Sequence, residues 1–114
     1  MSSFNETEMK VIQWAEARQI IPNSTPLAQA IKTLEEVTEL LSALHRGDKA
    51  EIRDAYGDIL VTLVIGAALG DTDLKECFEE AYQTIKDRRG YLRADGVFVK
   101  EQSAFSLPAP DQAL

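Results

Sequence analysis

The chain has 114 residues, 27% of them charged, with a formal net charge of −7. That length supports one hydrophobic core rather than two. An acidic chain with no dense basic run excludes duplex nucleic acid and anionic membrane surfaces as natural partners, but not nucleotides held through metal ions. Cys77 is the one cysteine; it cannot close an internal disulfide, which fits a reducing, cytoplasmic setting, and its place in a helical pattern suggests a small core residue.

The N-terminus lacks the basic start and apolar centre of a secretion signal. Ser3 followed by Glu6, or Asn5 followed by Glu8, reads as a capping box opening a first helix. Met9, Val11, Ile12, Ala15 and Ile20 recur along it at helical intervals, and Pro22-Asn23-Ser24 closes it. Thr25-Pro26 then starts a second helix with a cap residue and a proline at the first position. This helix runs to about His45, with Leu27, Ile31, Leu34, Val37, Leu41 and Leu44 as its expected core face. Lys32, Glu35, Glu36 and Glu39 fall on the opposite arc.

After the Arg46-Gly47-Asp48 break, Asp48 caps a third helix from about Lys49 to Leu69. Its run from Ile59 is apolar on every side but short of the ~20 residues that span a bilayer, so it reads as a buried helix. Gly70 is its expected left-handed stop. Thr72 or Asp73 opens a fourth helix carrying Leu74, Cys77, Phe78, Ala81, Tyr82 and Ile85 and ending near Gly90. Beyond it lies a covering arm with an alternating piece at Val97-Phe98-Val99. Short connections make antiparallel neighbours, so the expected fold is all-α, a four-helix antiparallel bundle. The expected domain covers residues 1–100, followed by a flexible tail over 101–114.

Residues three and four apart share a helix side. Glu35-Glu36-x-x-Glu39 and Asp54-x-x-x-Asp58 therefore each aim carboxylates in one direction, and antiparallel packing would converge them. Two like charges ~4 Å apart repel by roughly 4 kcal/mol at an effective dielectric of 20, so such a cluster calls for cations. Oxygen ligands suit a hard ion, above all Mg²⁺ with Mn²⁺ as the alternative, and through it phosphate chemistry. Asp58 is the most informative of these acids because it begins the buried run, where carboxylates are rare unless paired or metal-bound. The competing readings are a solvated acidic face for the glutamates and a salt bridge from Asp58 to Lys32.

At these residues the chain resembles the MazG-like nucleoside triphosphate pyrophosphohydrolases. They belong to an all-α group that includes dimeric dUTPases and phosphoribosyl-ATP pyrophosphohydrolase. The family pattern is E-E-x-x-E on one helix and E-x-x-D on the next, met here by Glu35-Glu36-x-x-Glu39 and Asp58. The lead-in Gln29-x-x-Lys32, Trp14-Ala-Glu on the first helix and Lys86-x-x-Arg89 on the fourth are similar too. The likeness covers about residues 8 to 100. It departs at one position: the family glutamate three residues before the aspartate is Ala55, with Asp54 the nearest acid.

The resemblance implies hydrolysis of a nucleoside triphosphate to the monophosphate and pyrophosphate by water attack at the α-phosphorus. Glu36, Glu39, Asp54 and Asp58 would hold metal. Glu35 would orient or deprotonate water, with Lys32 assisting at the phosphates. Gln29, Trp14, Lys86 and Arg89 would join Lys32 in binding substrate. It also implies a homodimer or homotetramer. Two rival readings are a phosphoribosyl-ATP pyrophosphohydrolase-like enzyme and a non-catalytic helical interaction module with an acidic face or structural cation site.

Overall fold

The computed structural model describes residues 2–101 and divides into two compact units, one up to Phe78 and one from Glu79 on. Among the described residues there are five helices, α1 (Phe4–Ala17), α2 (Ile20–Asn23), α3 (Pro26–Arg46), α4 (Lys49–Leu69) and α5 (Leu74–Ile85), then β1 (Gly90–Leu92) and β2 (Phe98–Lys100). The all-α class expected from the sequence is borne out. The expected tail, apart from Glu101, lies outside the described residues.

The helix starts follow the cap chemistry. Ser3 accepts from the Glu6 amide, Thr25 from Ala28, Asp48 from Glu51 and Asp73 from Glu76. The expected first helix is interrupted, however. A continuous helix would set the Pro22 ring against the carbonyl of Arg18 and forfeit the hydrogen bond to it. The chain instead leaves α1 after Ala17, turns through a left-handed Gln19 (φ 65°) and begins the short α2. At the end of α4, Gly70 is not the left-handed residue (φ −93°); that conformation falls on Asp71 (φ 59°), a residue type that tolerates it. α5 ends at Ile85, a turn earlier than its pattern suggested.

The first unit is organised around the α3–α4 hairpin. Gly47 (φ 68°) supplies the left-handed stop of α3, so only Gly47 and Asp48 separate the two helices. Gln29 packs on Gly66, and the Thr33 and Thr62 hydroxyls lie 2.7 Å apart. These contacts step along α3 and α4 in opposite directions, which fixes antiparallel pairing. One further turn of the same register sets residues 36 and 37 beside Asp58 and Ile59.

This register leaves only Val37 of the expected core face of α3 half-buried and turns the rest outward. The side facing α4 carries Gln29, Thr33, Glu36, Leu40 and Ala43, all buried or half-buried. Leu27 is 71% exposed and Leu34 67%, with Ile31, Leu41 and Leu44 also exposed. Most of the bulky apolar side chains of α3 are left outside this seam, Leu40 excepted. Glu36, which the competing reading put on a solvated face, is only 9% exposed.

α1 lies along α4 and buries Ala15 and Glu8. The Glu8 carboxylate accepts the backbone N–H of Lys75 at 3.1 Å, satisfying a donor in the first turn of α5. Phe4 and Phe78 make a tilted ring contact nearby. Cys77, expected inside, is exposed. Gly57, in the middle of α4, costs helix stability by about 1 kcal/mol relative to alanine. No close helix contact explains it, since an added Cβ would meet nothing within 4 Å.

In the second unit the expected arm forms an antiparallel hairpin, pairing Tyr91 with Val99. Gly90 is required there, because a Cβ would lie 2.0 Å from the Val99 carbonyl oxygen. The turn uses Gly96 at φ 88°.

Candidate active site

α3 and α4 bring four of the sequence-nominated residues into one electrostatic cluster: Lys32, Glu36, Asp54 and Asp58. One turn of α3 sets Lys32 Nζ 3.2 Å from Glu35 and 3.5 Å from Glu36. Hydrogen bonding to Glu35 and the charges of both glutamates raise the Lys32 pKa. On α4, Asp54 and Asp58 are one turn apart. Burial first, then the charges of Asp54 and Glu36, push the Asp58 carboxyl above its ordinary value of 3.8, while Lys32 pulls the other way. A hydrogen bond with Asp54 also favours the protonated form of Asp58. The salt bridge from Lys32 to Asp58, the competing reading of that aspartate, is not made; the lysine pairs with Glu35 and Glu36 instead.

Glu39 belongs to a neighbouring spot. With Glu51 and Asp54 it lines a hollow of about 170 Å³ whose other walls are Ala43 and Ala55. Ala55, where the sequence pattern lacks its glutamate, is thus a buried methyl between acids on both helices. Asp54 also borders a larger hollow of about 650 Å³ between α1 and α4, together with Asp58 and Gly57. It is the residue common to both hollows. The oxygen-only donor set and the like-charge crowding at Asp58 suit a hard divalent ion in chemistry. Among the described residues, though, no three acidic, histidine or cysteine side chains are gathered closely enough to hold one.

Gln29 and Trp14 stand apart within the first unit. Gln29 donates to Ser24 Oγ at 3.1 Å and packs on Gly66, eight residues past Asp58 and roughly 12 Å further along the helix. Trp14 is 47% exposed on α1 and does not line the α1–α4 hollow. Lys86 and Arg89 fall in the second unit. Sequence reading missed two residues. Glu51 was not among the nominated residues, yet it shares a hollow with Glu39 and Asp54 and also pairs with Arg46. Its spacing of three from Asp54 was the available signal. Gly57 was not among them either, and only the geometry shows that it faces open space.

The family model described as the MazG nucleotide pyrophosphohydrolase domain matches residues 24–91, from the residue before the Thr25 cap into the hairpin. The chain belongs to that family. It is also similar, at 36% identity over 73 residues, to an uncharacterized 18.2 kDa protein in the rep-hol intergenic region of Haemophilus phage HP1 (strain HP1c1). The match takes in 64% of this chain and 45% of that protein, so the chain spans less than half of its relative's length. No solved structure matches the chain. Among the described residues no helix is long and apolar enough to cross a membrane.

Proposed function

We propose that the chain is a divalent-cation-dependent pyrophosphohydrolase that converts a nucleoside triphosphate to the monophosphate and pyrophosphate. The observation that carries this reading is Asp58. A carboxylate half-buried at the start of an apolar run, crowded by Asp54 and Glu36, is destabilised in its charged form unless a cation joins it. Membership of the nucleotide pyrophosphohydrolase family supplies the substrate class.

Glu36, Glu39, Asp54 and Asp58 would hold Mg²⁺ or Mn²⁺ once their side chains turn toward one ion, since as they stand no three of them are gathered closely enough. When bound, the ion would neutralise charge on the phosphates and leaving pyrophosphate and favour ionisation of water. The water oxygen forms the new bond to the α-phosphorus as the bond to the bridging oxygen breaks. Glu35, turned about 100° from Glu36 on the helix, accepts the water's proton. Lys32 exchanges its contacts with Glu35 and Glu36 for a phosphate oxygen once the acids are neutralised. Gln29, Trp14, Lys86 and Arg89 complete the proposed substrate contacts. The assembly is a homodimer or homotetramer, since the exposed α3 leucines form an apolar strip that a second copy would cover, and the setting is cytoplasmic.

The test is product analysis after incubating the chain with mixed ribo- and deoxyribonucleoside triphosphates and Mg²⁺, with a chelator control. Monophosphate and pyrophosphate in equal amounts, lost with chelator, are the expected result. Orthophosphate as the product, or no turnover with any nucleotide, would overturn the reading.

A further inference from the structure

The α1–α4 hollow has a use that the acid cluster does not account for. It is about 650 Å³, within the size range of small-molecule sites. Its walls are largely apolar, with Phe4 and Val11 from α1 and Leu60, Val61 and Val64 from α4, while Glu8, Arg53, Asp54 and Asp58 border it. The α1 wall lies outside the span matched by the family model, which begins at residue 24. One side of the hollow is therefore built by the N-terminal helix.

Gly57 lies on the α4 wall between those two aspartates. Its backbone is ordinary helix, with no positive φ to require glycine. No neighbour approaches closely enough to require it either, as a Cβ would meet nothing within 4 Å. A helix-weakening residue that neither conformation nor packing demands is explained by the space it leaves open.

We propose that this hollow receives the nucleoside half of the substrate and that Gly57 is the gap that admits it, leaving the phosphates at Asp54 and Asp58. The assignment rests on the pyrophosphohydrolase reading for its substrate class. Apolar walls suit the faces of a base and sugar, which carry no charge, whereas phosphates beside Asp54 and Asp58 need positive charge, from a metal ion or from Arg53 on the same border. Side chains longer than a methyl at position 57 would project into the space meant for the ligand.

The experiment uses the full chain and two probes in the presence of Mg²⁺: a non-hydrolysable α,β-methylene nucleoside triphosphate, and inorganic tripolyphosphate, which lacks the nucleoside. Binding is measured by titration calorimetry for wild type, Gly57→Leu and, from the opposite wall, Val11→Phe. Each folded filling variant should bind the nucleotide analogue at least about tenfold more weakly, the scale on which bulk in an apolar pocket discriminates. Tripolyphosphate affinity should stay within about twofold of wild type.

Gly57→Ala, which adds a single methyl to a helix interior, should raise the thermal midpoint, showing that the position has no structural need for glycine. The inference is overturned if wild type does not bind the analogue, if a folded filling variant binds it as wild type does, or if both probes weaken together. A wild type that binds the analogue, loses it on filling and yet releases no pyrophosphate would sink the hydrolase reading while sustaining the pocket.

Discussion

Asp58 is the residue at which burial, charge and chemistry meet. Its carboxyl is held above 3.8 by desolvation, Asp54 and Glu36. Between the ordinary and the raised value, the folded chain keeps a proton that the unfolded chain has released, so stability falls as pH rises through that window and remains lower above it. Asp58→Asn removes this penalty. In chelator, its thermal midpoint at neutral pH should exceed that of wild type, and its stability should change less with pH; melts across a pH series check this. Turnover with metal should fall by about 10²-fold or more, the scale on which one preorganised electrostatic group acts.

Lys32 offers a second test at the same scale. Its positive charge lowers the Asp58 pKa, so Lys32→Met should raise that pKa further. The acidic limb of the kcat/KM profile, where Asp58 must ionise to hold metal, should move to higher pH. A profile with an unmoved acidic limb would show that Lys32 and Asp58 are not coupled in the working enzyme.

At the scale of the elements, most boundaries were legible because they depend on neighbours in the chain. Thr25 with Pro26, Asp48, and Gly47 each act through a hydrogen bond or a backbone conformation within a few residues. Thr25→Ala and Asp48→Ala should each lower unfolding free energy by about 1 kcal/mol through the lost cap, measurable by denaturant titration. The break after α1 was less legible because Pro22 acts on a carbonyl four residues upstream, before any turn residue appears. The burial of Glu36 was hidden for a different reason. Hydrophobicity marks the greasiest side of α3, but its contact with α4 is made through Thr33, Ala43 and Gln29. The acids of the candidate site could be named from their spacing. Their division between the Glu36–Asp58 cluster and the Glu39–Glu51–Asp54 hollow required the helix register.

For the whole molecule, the outward leucines are the main unfinished business. Leu27, Leu34 and Leu41 repeat every seven residues, with Ile31 between the first two, along a largely exposed side of α3. Repeats of this kind pair helices through an apolar seam. Leu34→Glu with Leu41→Glu should shift the proposed assembly toward monomer in sedimentation velocity, without weakening the α3 and α4 caps. A wild type that is monomeric at all tested concentrations would remove the basis for that assembly.

The bond from the Lys75 amide to Glu8 makes the first helix part of the last one's foundation. A fragment trimmed to the family-matched residues 24–91 would retain every carboxylate of the candidate site. It would also strand that amide and uncover the inner flank of α4. Deuterium should then enter the opening turn of α5 faster than in the intact chain, while the paired threonines between α3 and α4 keep that hairpin slow to exchange.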